Sequence, residues 1–146
     1  MSGEFLGQSE NSVNKMRVII PAQFKAKFSA ASKQTVICTV GQNKEVLIFP
    51  LDNWNALTAR LREGTEDEQN DLELMLHFAS QEQQLEGPGR IRISDDHLDI
   101  SGIKDSVIIK GEGSYISLWD PEVFSLYRAE KIKELQNSTR KRKYSV

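Results

Sequence analysis

The feature that most constrains how this chain can fold is a repeat. The stretches "TVICTVGQNKEVLIFPLDNW" (residues 35–54) and "DSVIIKGEGSYISLWDPEVF" (residues 105–124) align without a gap at an offset of 70. Each holds an apolar strand, a polar turn opened by Gly41 or Gly111, a second strand and a helix start. Upstream, Arg17 and Arg90 each lead a β-branched strand at an offset of 73, and the extra three residues fall in a loop, where added length costs little. Two copies are too few for a solenoid. Two halves of one design, sharing a core and joined near residues 64–72, are therefore expected.

The coarse elements follow from periodicity. Strands are expected near 5–10, 16–20, 35–40 and 45–49, with counterparts near 81–86, 90–93, 106–110 and 115–119. Short helices are expected at 21–28, opened by Pro21 and pairing Phe24 with Phe28, and at 94–100, capped by Ser94. A longer helix capped by Asp52 buries Trp54, Leu57 and Leu61. Another, near 66–79, carries Leu72, Met75, Leu76 and Phe78. The last opens at Asp120-Pro121 and bears Val123, Leu126, Tyr127, Ile132 and Leu135. These apolar positions read as core, with some available to a subunit interface.

Chemistry-bearing constellations are few. The single cysteine, Cys38, shares a strand face with Val36 and Val40 and reads as a small buried side chain. His77 and His97 have neither a second His nor a Cys at ligand spacing, so no metal is expected. There is no nucleophile elbow, no phosphate-binding Gly-rich loop ahead of a helix and no His-Glu-x-x-His. The carboxylates of 63–73 read as a solvated helix face. No catalytic residue, cofactor or small-molecule substrate is expected. The first twelve residues lack the apolar segment of a targeting signal, and no apolar run approaches membrane-spanning length, so a cytoplasmic protein is expected.

The net charge of −2 hides a segregation. Residues 1–33 carry five Lys/Arg against two Glu, residues 62–86 one Arg against eight acids, and residues 128–146 seven Lys/Arg against two Glu. Within the basic regions, "NKMRVIIP" (14–21) and "GPGRIRIS" (87–94) place cations at the mouths of two equivalent strands. Lys15 and Arg17 share parity, as do Arg90 and Arg92, so each pair points one way. Arg presents a planar fork that matches phosphate or the O6 and N7 of guanine, and Lys a point charge suited to backbone contact. A solubilising charge at each loop is the competing explanation, and the repetition at equivalent positions weakens it.

On "NKMRVIIP", "EVLIFPLDNW", "HFASQEQQLEGPGRIRIS" and "YISLWDPEVF", in that order, the chain resembles the MraZ family across about residues 5–135. That family's element, Asp-x-Lys-Gly-Arg before alternating aliphatics and Pro, falls on Val13, Asn14, Lys15, Met16 and Arg17, with Pro21 kept. It falls again on Glu86, Gly87, Pro88, Gly89 and Arg90, with Ser94 in place of Pro. The resemblance implies an α+β fold, a pseudo-symmetric double-split β-barrel of two swapped-hairpin SpoVT/AbrB-like halves with flanking helices. The halves would span 5–63 and 81–135, with a connecting helix at 64–80 and a basic, disordered tail at 136–146. It further implies a transcriptional regulator of the division and cell-wall gene cluster, cytoplasmic and nucleoid-associated. Such a regulator binds double-stranded DNA at short G-containing direct repeats as a ring-shaped homo-oligomer. Arg17 and Arg90 would be the principal contacts, Lys15 would hold backbone, and Asn14 and Arg92 would assist. The alternative is an oligomeric scaffold of the same fold that has lost specific DNA recognition.

Overall fold

The computed structural model describes residues 1–138 and 140–145. Thr139 and Val146, both within the expected tail, lie outside the described residues. The elements are β1 (Gln8–Ser12), β2 (Arg17–Ile19), α1 (Ala22–Lys25), β3 (Thr35–Val40), β4 (Val46–Pro50), α2 (Leu51–Arg62), α3 (Glu66–Phe78), β5 (Gln83–Gln84), β6 (Arg90–Arg92), α4 (Asp95–Ser101), β7 (Ser106–Gly111), β8 (Ile116–Trp119) and α5 (Pro121–Asn137). A 3-10 turn covers Ala30–Ser32. The protein is mixed α+β. One antiparallel sheet has the order β1-β7-β8-β4-β3-β5, and β2 and β6 form a separate two-stranded ribbon.

The repeat is visible in the pairing. Central strands β4 and β8 are counterparts and pair with each other, Leu47 opposite its equivalent Ser117. Strands β2 and β6 do the same, Val18 opposite Ile91. One face of the sheet, with Val36, Cys38, Val46, Ile48, Val107, Ile109, Ile116 and Leu118, packs against Val18, Ile20, Ile91 and Ile93 from the ribbon and its flanks. Phe5 closes this core edge-to-face against Phe24 and Phe28, at centroid distances of 5.9 and 5.6 Å. The opposite sheet face carries Ile37 and Phe49, which α2 covers with Trp54 and Leu57 and α3 with Met75.

The equivalence departs from a uniform offset of 70. Core residues Val36 and Cys38 of β3 match Val107 and Ile109 of β7 at an offset of 71, while Val46 and Ile48 match Ile116 and Leu118 at 70. The β3–β4 loop therefore holds one residue more than the β7–β8 loop. Gly41 opens its loop, but Gly111 lies inside β7, opposite Ile116. A Cβ there would stand 2.5 Å from the backbone carbonyl of Phe5, an approach that only glycine permits.

Three expected helical details also differ. Pro21 sits just outside α1 rather than in its first turn, and the helix ends at Lys25 because the chain turns to bury Phe28. Asp52 does not cap α2, whose N-cap is Pro50. Its carboxylate instead accepts hydrogen bonds from Ser2 N (2.8 Å), Ser2 Oγ (2.9 Å) and Ser29 Oγ (2.7 Å), fastening the first residues to the helix. On α5, Phe124 is buried and Tyr127 stacks on Trp119 at 4.5 Å, but Leu126, Ile132 and Leu135 are exposed. The aromatic anchor holds only the first turns, and the rest of this helix leaves the sheet. Leu76 of α3 is likewise exposed. The Ser94 and Asp120 caps form as the sequence implies, and α3 adds a Thr65/Glu68 capping box.

Two outcomes follow for stability. Gly111→Ala forces a Cβ into the Phe5 backbone and lowers stability by about 2 kcal/mol or more, read as a lower urea midpoint at unchanged slope. Burial pushes the Asp52 carboxyl up, but the bonds from Ser29 and Ser2 outweigh it and hold the group below its ordinary value. The stabilisation is thus complete above an unfolded value of about 4 and is lost as pH falls through the lower folded value. Asp52→Asn flattens that acid limb in denaturation measured against pH.

Candidate nucleic-acid interface

The ribbon is the candidate site, and alternation builds it. In "RVI" and "RIR" the middle residue is buried and the outer two are exposed. The outward face thereby presents Arg17 opposite Arg92 and Ile19 opposite Arg90. Three guanidinium groups share a patch two residues long on each strand. Among the described residues none of them, nor Lys15, forms an ion pair; the salt bridges lie elsewhere, as between Arg60 and Glu68. Like charges directly across a ladder cost up to about 1 kcal/mol. Burial of Val18, Ile20, Ile91 and Ile93 contributes about 1.5–3 kcal/mol apiece, so the apolar underside holds the repelling upper face together.

Cross-connections stiffen the ribbon. Ile20 N donates to Gly89 O and Ile93 N to Met16 O, so each turn is tied to the far end of the other strand. The side chain of Gln83 grips the outer edge of β6, accepting from Arg92 N and donating to Arg92 O, both at 2.9 Å. Gln83 itself belongs to β5, two residues long and paired with β3, so its amide links the ribbon to the large sheet. No sequence period announces such a link.

The two turns are not copies. Asn14 and Arg17 exchange both backbone hydrogen bonds at 2.9 Å around a two-residue turn, Lys15 and Met16, with φ of 51° and 66°. This is the primed hairpin geometry that favours Asn-Gly. In the second half Glu86 and Arg90 flank a three-residue turn, Gly87–Gly89. Asn14, rather than Val13, thus holds the position of Glu86, and Val13 packs against the core. Lys25 Nζ reaches Gly87 O at 3.5 Å.

The expected residues come together. Asn14, Lys15, Arg17 and Arg90 line one groove of about 500 Å³, with Glu86, Asn11 and Ser12 on its walls. Arg92 stands outside it, across from Arg17. Ile19, which the sequence reading passed over, completes the lining; it is 46% exposed, and its parity with Arg17 was the available signal. An open groove with three cations against the single carboxylate of Glu86 suits a polyanion. Elsewhere, burial pushes the Cys38 thiol up to about 12, so it holds no thiolate at neutral pH. His97 is buried with Nε2 2.6 Å from Phe78 O. Among the described residues no group of three His, Cys, Asp or Glu side chains is placed to hold a metal, and no helix is long and apolar enough to cross a membrane.

Comparison with known proteins agrees with the family resemblance. Residues 14–76 match the family described as "MraZ protein, putative antitoxin-like". The chain is 25% identical over 119 residues to a transcriptional regulator MraZ of Nitratidesulfovibrio vulgaris, covering 80% of each chain. It is 27% identical over 119 residues to that of Corynebacterium kroppenstedtii, again 80% of each. To the protein of the same name from Rhizobium meliloti it is 27% identical over 136 residues, 86% of this chain and 89% of the relative. The relatives are named as regulators, not as enzymes.

The left-handed Met16 yields a direct check. A non-glycine residue there costs about 1–2 kcal/mol, against about 0.5–1 kcal/mol for the extra freedom of glycine in the unfolded chain. Met16→Gly is expected to raise stability by about 0.5–1 kcal/mol, read as a higher urea midpoint.

Proposed function

With kinship to the MraZ family as the premise, we propose that this protein is a DNA-binding transcriptional regulator that reads duplex DNA with the β2–β6 ribbon. The observation that carries this reading is the Arg17–Arg92 pair, directly opposed and unneutralised, with Arg90 beside it. A surface that spends stability to hold three guanidinium groups together suits a partner that supplies negative charge. Arg17 and Arg90 are the principal base or phosphate contacts, Lys15 holds backbone, and Asn14 and Arg92 assist. A two-stranded ribbon is narrow enough to enter the major groove.

The finer reading is that the two halves form a pseudo-symmetric double-split barrel, and that copies of the chain assemble into a ring. The ring presents successive ribbons to short G-containing direct repeats ahead of a division and cell-wall gene cluster, in the cytoplasm at the nucleoid. Exposed Leu74 on α3 and Leu126 and Leu135 on α5 supply apolar surface for self-association. Repetition around a ring lets a subunit of net charge −2 bind DNA through summed contacts.

The test measures affinity for duplexes carrying G-containing direct repeats and for scrambled duplexes, at several salt concentrations. Arg17→Ala with Arg90→Ala is expected to lose about 1–3 kcal/mol of preference per lost base contact. The salt slope should fall by about 1 per lost phosphate contact. Unchanged preference and slope in the double variant would sink the assignment. A ring by light scattering with no repeat preference would favour the scaffold.

A further inference from the structure

The ribbon is built from a repeat, but its two halves do not carry the same surface. Equivalent positions on its outward face are Arg17 with Arg90, and Ile19 with Arg92. The first pair is conserved between halves and the second is not. A large apolar side chain therefore stands 46% exposed in the middle of a cationic face, directly opposite Arg90 and two residues from Arg17. Its neighbours Val18 and Ile20 are 1% and 0% exposed, so the core has no further use for Ile19. The groove it lines is the one that Lys15, Arg17 and Arg90 make basic.

On that basis we propose that Ile19 is a specificity-determining residue that packs on the C5-methyl group of a thymine in the major groove. The inference rests on the DNA-binding reading above and adds a base to it. In the major groove, thymine is distinguished by an apolar methyl beside an acceptor, and apolar side chains read it by contact. Residues two apart on one strand are separated by about 6.6–6.8 Å, close to two base steps of about 3.4 Å each. When Arg17 engages guanine O6 and N7, Ile19 lies within two steps of it, where a methyl can be covered.

The asymmetry gives the ribbon a direction. With Arg at both position 19 and position 92, the face would look alike from either end and would suit an inverted pair of half-sites. Ile19 beside Arg90 at one end, with Arg17 beside Arg92 at the other, makes one end half apolar and the other wholly cationic. The ribbon then reads a thymine at the end that holds Arg90, and a phosphate or second guanine at the end that holds Arg17 and Arg92. Arg92 donates no side-chain hydrogen bond within the described protein; Gln83 holds its backbone and leaves the guanidinium available.

The experiment starts from duplexes recovered by selection of a randomised library on the full-length protein. Single thymines in the recovered site are then replaced one at a time by uracil, which lacks only the methyl. Wild type is expected to lose roughly fourfold in affinity at one thymine per repeat, the worth of one buried methyl. Ile19→Ala should bind the thymine and uracil duplexes equally, and Ile19→Val should keep the preference, both with the wild-type salt slope. Arg92→Ala should lower the salt slope and leave the thymine-to-uracil ratio intact. Wild type that binds its selected site but is indifferent to uracil at every position overturns this inference and leaves the DNA-binding reading standing. A preference that survives Ile19→Ala also overturns it. Failure of wild type to enrich any duplex overturns both.

Discussion

The pairing of Val18 with Ile91 holds the molecule's organisation together. Strands β2 and β6 are three residues each, too short to form a stable hairpin, and they belong to different halves of the chain. Each buries its central residue only because the other lies beside it over a shared apolar core. The same logic repeats at β4 and β8, which meet at Leu47 and Ser117 in the middle of the large sheet. Neither half therefore owns a complete sheet or a complete cationic ribbon, and the outward display of cations is a by-product of that inward burial.

Much of this was legible in the sequence, because a repeat constrains topology strongly and alternation in a short strand fixes which way each side chain points. Arg17, Arg90 and Arg92 could be placed on one face from parity and from the offset of 73 between the halves. The register of the β3–β4 hairpin was not legible. A one-residue difference between its loop and that of β7–β8 leaves the apolar pattern nearly unchanged, and it is the ladders, Val40 opposite Val46 and Gly111 opposite Ile116, that reveal it. Asp52 shows a second limit. An acidic residue just inside a helix reads as a cap, but here Ser2 from the first residues and Ser29 ahead of the 3-10 turn claim its oxygens. Those partners are 50 and 23 residues away, beyond any local pattern. Leu126 and Leu135 mark a third: periodicity reports that a helix face is apolar, not whether the same chain covers it.

The two turns of the ribbon illustrate how duplicated elements diverge under a common load. The second uses glycines at positions of positive φ and reaches around with three residues. The first uses two and places Lys15 and Met16 in the left-handed region, which keeps a cation at the tip. That choice exchanges local backbone comfort for a cation beside Arg17.

The cross-half ribbon also has a consequence for the order of events during synthesis. Ile91 lies 73 residues beyond Val18, so β2 has no ladder partner until the second half has emerged from the ribosome. An interrupted chain ending before β6 would carry Arg17 and Lys15 without the strand that orients them. The paired cationic ribbon therefore forms only once the chain has been made past Arg92, and a shorter nascent chain cannot display its cations in this arrangement.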